Sequence, residues 1–150
     1  MNWLPITEAD LLAYKMSPLM TALRNAALKS GQTDPVVAIT TGVITRIRTK
    51  VASCQTNRVD ADTTTIPASL LPLACRMIVR EGKGRLEMDL TEDERLKQSI
   101  DERDLTAVAS CSLVVEQPDD SATPEVQATQ PSPTISYRRR RFGSAYEDGA

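Results

Sequence analysis

The sequence predicts a mainly α protein: a small helical bundle of about four to five helices with a short C-terminal strand and a long extended tail. Three observations carry that expectation. Apolar residues recur at three- and four-residue spacing in several segments, each opened by a residue able to cap a helix N-terminus. The 150 residues include one Trp, one Phe and three Tyr, so a core must be built from Leu, Ile, Val, Met and Ala, which favours helices packed on helices over an aromatic-rich β-sandwich. Helical patterning stops near residue 117, where Gln117-Pro118-Asp119-Asp120-Ser121-Ala122-Thr123-Pro124 opens a Pro/Ser/Thr segment. The chain is thereby expected to divide into a body, residues 1–117, and an extended arm, residues 118–150.

Thr7, followed by Glu8, Ala9 and Asp10, reads as an N-cap with acids in the first turn, and Leu11 and Leu12 begin the apolar face of a short first helix. Ser17-Pro18 starts a second, with proline at the first helical position, where its missing N–H costs nothing. Met16, Leu19, Met20, Leu23, Ala27 and Leu28 continue it until Ser30-Gly31. Asp34-Pro35 opens a third, in which Val36, Ile39, Val43, Ile44, Ile47 and Val51 form one stripe. Arg46, Arg48 and Lys50 lie off its centre, and Gly42 is expected to mark a close approach.

Residues 55–65 are polar and aperiodic and read as a loop. Beyond Ile66-Pro67 a fourth helix is expected over Leu70, Leu71, Leu73, Ala74, Cys75, Met77, Ile78 and Val79. Ser69 would cap it with Pro72 in the first turn, a kink at Pro72 being the alternative, and Gly82-Lys83-Gly84 would close it. Thr91-Glu92-Asp93-Glu94 is a capping-box signature for a fifth helix carrying Leu96, Ile100, Leu105 and Val108 on one face. The β-branched run Leu113-Val114-Val115 suggests a strand over 112–116, whose edge would need a partner.

The chemistry of the sequence argues against an enzyme. Histidine is absent from the chain, which removes the commonest general base and metal ligand, and no phosphate-binding glycine loop or nucleophile motif is present. No catalytic residue, cofactor or metal is expected. Three cysteines, Cys54, Cys75 and Cys111, stand at wide spacings and read as buried thiols of a reducing cytoplasm rather than as a disulfide framework. No apolar run of about 18 residues and no basic-then-apolar leader occurs, so no membrane is expected. The formal net charge of −2 speaks against uniform affinity for phosphate backbones.

The basic signal is local. Arg138, Arg139, Arg140 and Arg141 lie between Tyr137 and Phe142. The run reads as a docking peptide with two aromatic anchors, as a nucleic-acid arm, or as a solvated charge run. The flanking aromatics favour a functional run over an idle one, and the arm's own balance of four arginines against five acids, Asp119, Asp120, Glu125, Glu147 and Asp148, favours docking over a nucleic-acid arm. With little apolar surface of its own, the arm must borrow order from a partner.

The order of Ile6-Thr7-Glu8-Ala9-Asp10-Leu11, the helix from Asp34, the polar loop before Ile66-Pro67, Leu70-Leu71-Pro72-Leu73-Ala74-Cys75-Arg76-Met77 and the acid-capped helix from Thr91 resembles the head-tail adaptor (connector or neck) proteins of long-tailed bacteriophages, including the Mu-like connector type. The resemblance spans roughly residues 4–115. It implies a structural virion protein forming a homo-oligomeric ring of about twelve subunits. Such a ring is stacked between the portal protein and a head-tail stopper or a tail terminator or tube protein, in the virion neck, after assembly in the host cytoplasm. Genomic DNA would pass through the lumen without being read, facing basic residues such as Arg46, Arg48 and Lys50. The competing expectation is a small helical nucleic-acid-binding or packaging module that uses the arginine tail. Against it, the helices interleave charge signs and show no helix-turn-helix spacing.

Overall fold

The structure is a computed structural model that describes residues 2–26 and 31–119. Its elements are β1 (Trp3–Pro5), α1 (Glu8–Ala13), α2 (Ser17–Ala26), α3 (Pro35–Ser53), β2 (Thr65–Pro67), a 3-10 turn (Ala68–Leu70), α4 (Leu71–Arg85) and α5 (Glu92–Ala109). The protein is a small helical bundle, with β1 and β2 paired antiparallel as Trp3↔Pro67, Leu4↔Ile66 and Pro5↔Thr65. Residues 120–150, which hold all of the expected arm but its first two residues, and residues 27–30, near the expected end of α2, lie outside the described residues.

The helix starts follow their caps. Thr7 and Asp10 form a reciprocal capping box at α1, Asp10 Oδ2 accepting from Thr7 N at 2.8 Å. At α3 the Asp34 carboxylate accepts from Val36 N at 2.9 Å, with Pro35 in the first turn. Thr91 and Glu94 repeat the capping box at α5. Two starts depart from expectation: α2 begins at Ser17 itself, which puts Pro18 at its second helical position rather than its first, and α4 enters without its expected cap. Pro72 sits in its first turn, but Leu70 is the capping position and makes no side-chain bond. Ser69 turns away to donate from Oγ to Glu116 Oε2 at 2.6 Å, and the 3-10 turn supplies the entry instead.

All six apolar residues of the α3 stripe are buried, and α3 packs against α2, α4 and α5. Around it lie Met20 and Leu23 of α2, Leu73, Ala74, Met77 and Ile78 of α4, and Leu105 and Val108 of α5. The close approach falls on a different glycine from the one expected. Gly42 is exposed, with open space where a Cβ would stand, whereas Gly82 lies inside α4 with Leu19 Cδ2 and Leu23 Cδ1 each 3.1 Å from that position. Gly82 therefore lets α2 settle on α4, and Gly82-Lys83-Gly84 continues the helix rather than ending it.

Three helices end in the left-handed conformation without glycine. Lys15, Glu87 and Cys111 have φ of 56°, 54° and 62°, and each stands just past a helix C-cap. Met16 N donates to Leu11 O, Met88 N to Lys83 O and Ser112 N to Ala107 O. That is the six-to-one bond of a Schellman ending, built here on residues that carry a Cβ and so disfavour the left-handed conformation.

Two further expectations are corrected. Residues 112–116 are not a strand: the amides of Ser112 and Leu113 both donate to Ala107 O and close α5, so no free ladder begins there, and Val115 alone is buried. Cys54 and Cys111 are not free thiols but a disulfide across a sequence separation of 57. It joins the C-terminal ends of the two longest helices, a proximity that exists only once α3 and α5 are packed. Cys75 alone matches the expected buried free thiol.

Candidate functional site

Among the described residues, three features concentrate polar chemistry: a clamp between α4 and α5, a groove beside it, and the strap that follows α5. The clamp centres on Asp101, which is 1% exposed. Arg76 Nη2 donates to Asp101 Oδ1 at 2.6 Å and Arg80 Nη2 meets Oδ2 at 2.7 Å. Arg76 and Arg80 stand one turn apart on α4, so both guanidinium groups reach the same carboxylate across the helix interface. Hydrogen bonding to Asp101 raises the Arg76 pKa further above its already high ordinary value. The clamp orders α5 on α4.

Beside it lies an open groove of about 570 Å³, with Met77 and Leu105 among its apolar lining and Arg46, Lys50, Glu81 and Glu102 among its charged lining. Arg46 pairs with Glu81 at 3.2 Å. Of the three lumen candidates, Arg46 and Lys50 are therefore brought together at one groove, while Arg48 is directed elsewhere. Its Nη1 donates to Asp62 O at 2.8 Å and Thr65 O at 2.7 Å, its Nη2 donates to Asp60 O at 2.6 Å, and its guanidinium carbon lies 5.3 Å from the centroid of the Trp3 ring. The aperiodic loop thus takes its shape from Arg48, whose Nη1 and Nη2 groups donate to its carbonyls.

The acidic first turn of α5 is explained by capping. Glu94 also accepts from Lys83 Nζ at 2.6 Å, a contact that holds its carboxyl below the usual range. Among the described residues no group of three or more His, Cys, Asp or Glu side chains is placed to hold a metal ion. Burial pushes the Cys75 thiol up to about 11, so it is a poor nucleophile near neutrality.

Residues 112–119 form a strap across Trp3 and the loop preceding α4. Val115 is buried, the Trp3 indole N–H donates to Glu116 O at 2.8 Å, and Arg58 N donates to Gln117 Oε1 at 2.9 Å. Burial opposes ionisation of Glu116, yet the Ser69 hydroxyl and backbone amides outweigh it and leave the carboxyl below its ordinary value. Neither the Asp101 clamp nor the strap was singled out from sequence. The only available signal was the pair Arg76 and Arg80 at helical spacing opposite an acid at an otherwise apolar register. Tyr137, Arg138, Arg139, Arg140, Arg141 and Phe142 lie outside the described residues.

No helix among the described residues is long and apolar enough to cross a membrane. Comparison with known proteins finds no matching family model, no similar curated protein and no similar solved structure.

Proposed function

We propose that this chain is a structural virion protein: a head-tail adaptor whose ring joins the portal to the stopper or to the tail terminator or tube, and through which genomic DNA passes. It would act by contact in the virion neck, after assembly in the host cytoplasm, without turnover of a substrate. The observation that carries the reading is the distribution of exposed apolar side chains. Leu96, 61% exposed, and Ile100, 39% exposed, stand one turn apart on α5, and Leu113 and Val114 follow that helix. A second, dissimilar set includes Val37, at a shallow groove lined also by Ile6, Leu11, Met20 and Val36. Two unlike patches on one subunit suit a heterologous contact, which generates a ring when its rotation closes.

Further support comes from the succession of a Thr-capped α1, an apolar α3, a proline-marked entry to α4 and an acid-capped α5, the order on which the resemblance to connector proteins rests. Arg46 and Lys50 are the candidates to face DNA, as sequence-independent charge. The nucleic-acid module gains nothing comparable: Arg24, Arg76, Arg80, Lys83 and Lys97 are all in ion pairs.

The test is negative-stain imaging of the purified protein, alone and with its portal, beside the variant Leu96→Asp. The wild type is expected to form closed rings on the portal. The variant should lose the ring while its melting stays within about 0.5 kcal/mol of wild type, as for an exposed position. A wild type that remains monomeric in the presence of portal overturns the proposal.

A further inference from the structure

The strap is fixed to the body by two kinds of bond. Along its length the bonds are non-covalent: Val115 is buried, Glu116 receives Trp3 Nε1 and Ser69 Oγ, Gln117 receives Arg58 N, and Asp119 Oδ2 accepts from Asn2 N at 3.0 Å. At its root the bond is covalent, between Cys54 at the C-cap of α3 and Cys111 just past the C-cap of α5.

The two cysteines differ in exposure. Cys54 is buried and Cys111 is exposed, so a thiol arriving from solvent meets the disulfide from the Cys111 side. Thr56 Oγ1 lies 3.0 Å from Cys54 Sγ, and because a disulfide sulfur carries no hydrogen, the hydroxyl is the donor. That donor stays in place for the thiolate which forms if Cys54 is the leaving group, and a stabilised leaving thiolate favours exchange. The root residue is also held in the left-handed region, with φ 62°, a conformation that costs a non-glycine residue free energy and that a tether helps to maintain.

We propose that the Cys54–Cys111 disulfide is a redox latch. When oxidised it holds residues 112–119 on Trp3 and the loop before α4; when reduced it lets the strap lift. The reductant is a small thiol. Its thiolate attacks Cys111 Sγ, the Sγ–Sγ bond breaks, and Cys54 leaves as a thiolate that takes up a proton. A second thiol then attacks the mixed disulfide, frees Cys111 as a thiol and departs as the oxidised small disulfide, so that two electrons pass from two thiols to the protein. Without the covalent root the strap keeps only its local contacts, and its effective concentration at its own binding surface falls. The latch does not rest on the virion reading and is tested on the purified chain without ring or portal.

The experiment uses the full-length protein with and without dithiothreitol. Thiol counting follows the bond, and far-UV circular dichroism follows the helices. The fluorescence of Trp3, the chain's one tryptophan, and glutamyl-endopeptidase cleavage after Glu116 follow the strap. On reduction the thiol count should rise from one to three while the helical signal is retained. Cleavage after Glu116 and acrylamide quenching of Trp3 should increase, cleavage by about tenfold. Cys75→Ser should keep the whole response. Cys54→Ser/Cys111→Ser should behave as the reduced protein under both conditions. Three results would each overturn the latch: a chain still showing three thiols after exposure to an oxidising glutathione couple, strap readouts unchanged by complete reduction, or helical signal lost together with the strap.

Discussion

α3 and α5 are nearly equal in length, 19 and 18 residues, yet they are held by different physics. α3 buries six apolar side chains and no charge. α5 buries only Asp101, Leu105 and Val108, and leaves Leu96 and Ile100 in solvent. The sequence expectation put all four of its apolar residues on one inward face. The Asp101 carboxylate instead takes an inward position, matched by Arg76 and Arg80, and the helix is turned so that its N-terminal apolar pair faces outward. A buried stripe of hydrocarbon locates a helix by area, whereas a buried ion-pair cluster locates it by direction.

The largest expected effect breaks the α3 side of this contrast. Ile47 has no measurable exposure, so Ile47→Asp places an unpaired carboxylate in the centre of the bundle. The cost should be several kcal/mol, comparable with the whole stability of a small domain, about 5 to 15 kcal/mol. Loss of the cooperative thermal transition by circular dichroism is the expected outcome. On α5 the informative change removes the charge instead. Asp101→Leu strands the Arg80 side chain, which is 10% exposed, and should cost about 3 kcal/mol or more, measured by urea unfolding. Adding Arg80→Met and Arg76→Leu should restore most of that loss, because well-packed apolar replacements of a buried ion cluster are often neutral. If the triple variant is no more stable than the single, α5 is not held by the clamp.

The same contrast separates what was legible in the sequence from what was not. Starts of helices were readable because their chemistry is local: Thr7, Asp34 and Thr91 cap within three residues of themselves. The α3 stripe was readable because burial there is apolar and periodic. Ends were misread at Gly82-Lys83-Gly84 because the endings use Lys15, Glu87 and Cys111 in a conformation normally given to glycine, a choice made by tertiary context. β1 was missed because three residues carry no period. Long-range partners left no local trace: Arg48 with the 60–65 carbonyls, Cys54 with Cys111, and Trp3 with Glu116 are separated by 12 to 113 residues. In the candidate site, the positions of Arg46, Arg48 and Lys50 off the centre of the α3 stripe were readable, whereas the Asp101 clamp and the strap were invisible until the helices were assembled.

The smallest effect sharpens the difference between two glycines on packed helices. Gly42 lies mid-helix in α3 with open space around the position of a Cβ, and Gly82 lies mid-helix in α4 with Leu19 Cδ2 and Leu23 Cδ1 at 3.1 Å. Replacing glycine by alanine inside a helix gains about 0.5 to 1 kcal/mol from backbone entropy alone. Gly42→Ala should collect that gain in full and raise the melting temperature by a few degrees, since about 1 kcal/mol moves a domain of 60–100 residues by about 4 to 8 °C and one of 150–250 residues by about 2 to 4 °C. Gly82→Ala has the same entropic gain, but the new methyl must displace the ends of two leucine side chains in a packed interface. Such crowding costs about 1 kcal/mol or more, so the net change should be near zero or destabilising. A Gly82→Ala variant as stabilised as Gly42→Ala would show that α2 has room to retreat from α4 and that Gly82 does not set their approach.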